Sequence, residues 1–292
     1  MQFTGSMVAL VTPFKNGKID EVSLRALIER QIENGTDVIS PCGTTGEAAT
    51  LSHDEHIRVV EITVDQAKKR AKVLAGAGSN ATHEAIRLHQ GAYKAGADGA
   101  LHITPYYNRP PQEGLFQHFR AIAESNSLPI ILYNVPARTG VNMLPETVAR
   151  LAEIKPIVGI KEAAGLLEQV SQIISLCPKN FVVLSGEDAL TLEILKRGGQ
   201  GSISVTANVS PKNCSDQWKA FQSGKMEEAT SLHQKLLPLH DAMFFETNPI
   251  PVKAALAMMG LIGEEYRLPL VKISEANRAK LKSVMQNVGL LK

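Results

Sequence analysis

Lys161 ends an apolar run, Ile157-Val158-Gly159-Ile160, and a helical pattern at Leu166, Leu167, Val170, Ile173 and Ile174 follows it. A continuous, β-branched apolar run without alternation reads as a parallel strand buried on both faces, with Lys161 at its carboxyl end. Active sites of parallel α/β barrels are built at that end. A lysine partly withdrawn from water loses pKa because burial disfavours its charged form, and the free amine attacks carbonyl carbon. An arbitrary lysine at a strand end is more often solvated. Tyr133 argues for the exception: it closes another apolar run 28 residues earlier. One β/α unit has that length, which would set the two strand ends side by side. A phenol donates and accepts protons, as carbinolamine formation and dehydration require, and Thr44 offers a hydroxyl to carry the relay to solvent.

Other residue types gather around the same strand ends. Gly43-Thr44-Thr45-Gly46-Glu47 is either a tight turn or a place where backbone N–H groups approach a carboxylate. Arg138 is either a bidentate carboxylate clamp or a solvated loop arginine. Gly186 and Ile203 belong to the next two strand units. Gly198-Gly199-Gln200-Gly201-Ser202 reads as a plain turn more readily than as a phosphate site. Cys42 has no evident base beside it and reads as a packing thiol.

The elements that must position these residues alternate regularly. Strands are predicted at Met7–Val11, Val38–Ser40, Val73–Ala75, Ala100–Ile103, Ile130–Tyr133, the Lys161 run, Phe181–Leu184 and Ser202–Val205. Between them lie helical patterns at Val22–Glu33, from Ser52 to about Lys69, Thr82–Lys94, Gln112–Glu124 and Pro145–Leu151. Ser52 and Glu55 form a capping box, and Pro145 opens its helix. Eight strand–helix units without a linker or a Gly-rich phosphate fingerprint predict a (β/α)8 TIM barrel over residues 1–224. Helical patterns at Met226–Phe245, Pro251–Met259 and Ser274–Val288 predict a carboxyl-terminal helical appendage over residues 225–292.

Composition sets the class. A chain of 292 residues with 44% hydrophobic and 21% charged residues buries a large core. Its 31 basic and 29 acidic residues are mixed along the chain, which points to neither a nucleic-acid nor a membrane partner. Cys42, Cys177 and Cys214 are far apart and form no zinc pattern; with no signal-like amino terminus, a soluble cytoplasmic protein is expected.

The motifs Gly43–Glu47, Thr104-Pro105-Tyr106-Tyr107-Asn108, Tyr133–Gly140, Gly159–Ala163 and Asn248-Pro249-Ile250-Pro251-Val252-Lys253, in this order, resemble the dihydrodipicolinate synthase family of class I pyruvate-dependent aldolases. The resemblance runs from Phe3 to the carboxyl terminus. It implies condensation of pyruvate with L-aspartate 4-semialdehyde through a lysine Schiff base, giving 4-hydroxy-tetrahydrodipicolinate for diaminopimelate and lysine biosynthesis, with no cofactor. By position, Lys161 resembles the imine lysine, and Tyr133, Thr44 and Tyr107 the proton relay, with Tyr107 supplied by a neighbouring subunit. Thr45 and the backbone of Gly186 and Ile203 resemble the pyruvate carboxylate site, and Arg138 the clamp on the semialdehyde. A tight dimer, usually doubled into a tetramer, is implied.

The resemblance also implies a lysine feedback site made by His53, His56, Asn80, Glu84 and Tyr106, with Glu84 on the ammonium. His53 and His56 lack a third ligand at recognisable spacing, so no metal is expected. Ala48 stands where some inhibited members have serine. Pro41-Cys42 and Ala164 also depart from the common pattern, beside the expected chemistry rather than in it. A sister sugar-acid lyase is the nearest rival, which Arg138 disfavours. A non-catalytic barrel is disfavoured by the complete set Lys161, Tyr133, Thr44 and Tyr107.

Overall fold

The computed structural model describes residues 3–292. Eight parallel strands close into one barrel: β1 (Gly5–Ala9), β2 (Val38–Ser40), β3 (Lys72–Gly76), β4 (Gly99–Ile103), β5 (Ile130–Asn134), β6 (Ile157–Glu162), β7 (Val182–Ser185) and β8 (Gly201–Ser204). Each is followed by a helix: α1 (Glu21–Glu33), α2 (His53–Ala67), α3 (Thr82–Lys94), α4 (Gln112–Ala123), α5 (Pro145–Ala152), α6 (Leu167–Leu176), α7 (Thr191–Lys196) and α8 (Pro211–Gln222). Three more helices, α9 (Met226–Ala242), α10 (Ile250–Met258) and α11 (Glu275–Asn287), pack onto this ring and share its apolar core. No helix among the described residues is long and apolar enough to cross a membrane.

Strand periodicity sorts the core into two layers. Phe3, Met7, Leu74, Leu101, Ile131, Tyr133, Leu184 and Ile203 meet in the barrel lumen. Ile130 and Leu132, between or beside these, face outward with Ile160 under Leu115, Phe119 and Ile173 of the helices. Each such fully buried side chain contributes about 1.5–3 kcal/mol of transfer free energy.

Local signals place most of the elements. Ser52 accepts from the Glu55 N–H at 3.2 Å while Glu55 accepts from the Ser52 N–H at 2.9 Å, so α2 opens on the expected capping box. Strand limits move where distant partners decide them. β1 starts two residues before the predicted Met7, because Gly5 pairs with Gly201. Beyond its end, the Leu10 N–H donates to Ser40 and the Val11 N–H to Asn208 Oδ1. β7 and β8 shift by one residue, and Val205 enters a helical turn whose N–H groups donate to Asp188. A short antiparallel ribbon, Phe14–Lys15 with Lys18–Ile19, was not anticipated; its signal is Asn16-Gly17, both at positive φ.

Three buried histidines, His89, His102 and His118, lie between β4 and helices α3 and α4, with His89 Nδ1 3.0 Å from His102 Nε2. Burial lowers all three pKa values, to about 4 for His89 and His118. The unfolded chain therefore binds more protons than the folded one between pH 6.5 and about 4, and this contribution to stability is lost as pH falls through that window. His118→Gln should flatten the loss of urea-unfolding free energy between pH 7 and 4.5 relative to the unsubstituted chain. Parallel profiles would show that His118 titrates normally.

Candidate active site

The β5–β6 ladder pairs Tyr133 with Lys161 and Asn134 with Glu162. Tyr133 belongs to the lumen, so its partner Lys161 points the same way, and the lysine nitrogen lies 4.2 Å from the centre of the phenol ring. Both side chains are buried. The alternating neighbours Asn134 and Glu162 face outward. The buried Glu162 carboxylate accepts from Asn134 Nδ2 (3.0 Å), Gln169 Nε2 (3.2 Å) and the Ala164 N–H (2.7 Å), and burial raises its pKa. At Ala164 the bond comes from the backbone, so alanine leaves it intact.

Gly186 sits opposite on β7's carboxyl-terminal side. A Cβ there would come within 3.0 Å of Lys161 Cε and 2.7 Å of Ala163 Cβ. The missing side chain is what gives the lysine room.

Lys161, Tyr133, Thr44, Thr45, Gly186 and Arg138 line one cavity of about 760 Å³. Thr45 Oγ1 accepts from Asn248 Nδ2 at 3.0 Å, which leaves its own O–H to donate elsewhere. Arg138 lies at the rim, with Nη2 3.4 Å from the Asn248 carbonyl. Ile203 lies in the lumen on β8, paired with Met7. Tyr107 is not brought to this cavity by its own chain: it is 91% exposed, on a backbone at φ 72°.

Three cavity residues were not singled out from the sequence. Asp188 Oδ2 accepts the N–H groups of Val205 and Thr206, both at 3.0 Å, and ties the ends of β7 and β8 together. Glu187 is half-buried, and burial together with Asp188 raises its pKa. Asn248, on the motif Asn248–Lys253, reaches the site from 203 positions beyond Thr45. The signal for the first two was the polar string Ser185-Gly186-Glu187-Asp188 after an apolar strand; for Asn248 only the resemblance marked its motif.

A second cavity of about 470 Å³ adjoins the first, and Thr44, Tyr133, Arg138 and Asn248 line both. His53, His56, Glu84 and Tyr106 border it, together with Ala48. Asn80 stands behind, donating from Nδ2 to the Tyr106 carbonyl at 3.2 Å. His56 is buried, which lowers its pKa, and its Nε2 donates to the Gly76 carbonyl at 2.7 Å. A carbonyl only accepts, so the ring proton is on Nε2 and Nδ1 is left as an acceptor. Cys42 is buried with its thiol toward the His56 carbonyl at 3.5 Å, and burial raises its pKa, as suits a packing thiol.

Barrel, buried lysine and adjoining phenol define a (β/α)8 protein with a lysine-centred site at the carboxyl ends of its strands. The chain belongs to the dihydrodipicolinate synthetase family, whose sequence model matches residues 2–288. It is 61% identical over 289 residues to a 4-hydroxy-tetrahydrodipicolinate synthase of Syntrophus aciditrophicus, covering 99% of each chain. Its fold superimposes on dihydrodipicolinate synthase from Acinetobacter baumannii, solved with pyruvate, at a TM-score of 0.97 and 46% identity over 99% of this chain and 100% of that one. The enzyme from Cyanidioschyzon merolae, solved with lysine bound, gives 0.96 and 42% over 99% of each chain.

The crowding at Gly186 yields a direct test. Gly186→Ala should displace Lys161 and lower turnover roughly 10²-fold, the order expected for a misplacement near 1 Å, and should lower Tm as well because Ala163 is crowded. Turnover equal to that of the unsubstituted chain would show that Lys161 has slack at this contact.

Proposed function

We propose that this chain condenses pyruvate with L-aspartate 4-semialdehyde, giving 4-hydroxy-tetrahydrodipicolinate for diaminopimelate and lysine biosynthesis. The observation that carries the reading is the buried Lys161 nitrogen over the Tyr133 ring, in a cavity that also holds Thr44, Thr45 and Arg138. Membership of a family whose named relatives are synthases of this product supports it.

The Lys161 amine attacks C2 of pyruvate. Tyr133 protonates the carbinolamine oxygen, water leaves, and an imine remains. Tyr133 takes back a methyl proton to give the enamine, which forms the carbon–carbon bond to the aldehyde carbon of the second substrate while Tyr133 protonates the aldehyde oxygen. The α-amino group of that substrate then attacks the imine carbon, closing the ring and releasing Lys161. Thr44 carries protons onward from Tyr133. Thr45, whose O–H is left free by Asn248, donates to the pyruvate carboxylate beside the backbone of Gly186 and Ile203. Arg138, at the rim, takes the semialdehyde carboxylate. Borohydride added with pyruvate should leave a reduced adduct that peptide mapping places on Lys161. A folded chain without that adduct would remove the imine mechanism.

We assign the second cavity to L-lysine as a feedback inhibitor. Glu84 supplies a carboxylate for the ammonium, and the lysine-bound relative supports the ligand. The exposed Tyr107 fits a tight dimer, doubled into a tetramer, in which it enters a neighbour's site. The three free cysteines fit a cytoplasmic setting. Lysine titrated into protein shown to be dimeric or larger by sedimentation velocity should give saturable heat that Glu84→Gln abolishes. A monomer, or heat unchanged by that substitution, would overturn the assignment.

A further inference from the structure

The motif Asn248–Lys253 ends in a lysine that solvent does not touch. Lys253, on α10, forms an ion pair with Glu47, and neither side chain has any exposure. Its nitrogen lies 4.3 Å from the centre of the Phe14 ring and 5.2 Å from that of Tyr266. The second Glu47 oxygen accepts from the Arg267 N–H at 3.3 Å. Glu47 holds φ at 53°, a region that a non-glycine residue keeps only when its surroundings impose it.

Stability does not account for such a pair. Desolvating two charges offsets most of their attraction, and well-packed apolar side chains of similar volume are as stabilising or more so. Its location does account for it. Glu47 closes the turn that carries Thr44 and Thr45: its N–H donates to the Thr44 carbonyl at 3.1 Å, and the Gly46 N–H donates to the Gly43 carbonyl at 3.1 Å. The same motif grips the turn a second time, through Asn248 on Thr45.

We propose that the buried Glu47–Lys253 pair positions the Thr44–Thr45 turn against Lys161 and Tyr133 for the condensation. The pair acts through the threonines and touches no substrate. This rests on the imine reading of the site, so the first control is pyruvate trapping by borohydride in the unsubstituted chain; no trapping there defeats that reading rather than the positioning role.

Glu47→Gln strands an ammonium beside a neutral partner and should lower both Tm and the rate of trapping. Glu47→Gln/Lys253→Met removes both charges at similar volume. It should recover the Tm, while kcat/KM for pyruvate and the trapping rate stay at least about tenfold below those of the unsubstituted chain. Recovery of turnover along with Tm would reduce the pair to a stability feature and overturn the proposal. Should the double variant not fold, Lys253→Met alone decides, because Glu47 keeps its bond from the Arg267 N–H. Slower trapping then supports positioning, and unchanged trapping overturns it.

Discussion

The pairing of β5 with β6 is the constraint on which the site depends. Parallel register sets Tyr133 beside Lys161, and strand alternation turns both inward while sending Asn134 and Glu162 outward. A slip of one residue would put the carboxylate in the lumen and the lysine under the helices. Several features oppose that slip. Glu162 is held by Asn134, Gln169 and the Ala164 N–H on the outer face, and Gly186 leaves space for Lys161 and no more on the inner one. The inner and outer polar groups therefore keep each other in register, although they face different surroundings.

The rest of the cavity is assembled from far along the chain. The β2 turn brings Thr44 and Thr45, the segment before α10 brings Asn248, and Asp188 joins the ends of β7 and β8. Carboxyl-terminal helices that read as an appendage are thus part of the wall. Lys253 and Arg267 both come from that region, and both bond to Glu47, the last residue of the turn. The barrel supplies positions in space, and the later helices hold the loop that fills them.

Much of this was legible in the sequence, for physical reasons that differ by element. The Lys161 strand announces itself because burial on both faces demands an unbroken apolar run. The start of α2 is written in the reciprocal pair Ser52 and Glu55, and the limits Thr82–Lys94 of α3 emerge from periodicity alone. The ends of β1, β7 and β8 differ from the local pattern because distant partners set them: Gly201 pairs with Gly5, Glu162 and Ser202 pair with Ser185, and Asp188 takes the Val205 N–H. Asn16-Gly17 is a hairpin signal for the short ribbon that lies outside the strand–helix alternation. Partners 206 residues apart, such as Glu47 and Lys253, leave no local trace: one reads as a turn residue and the other as an ordinary helix lysine.

The two cavities share a wall that includes Thr44, Tyr133, Arg138 and Asn248. An occupant of either one would press on side chains that shape the other, over a distance of a single residue layer rather than through a chain of packed elements. Linkage between two such chambers is reciprocal: the factor by which one guest alters the other's affinity is the factor it receives in return. With a guest in each chamber the wall would be a common boundary for two binding equilibria, and a side chain in it would answer to both.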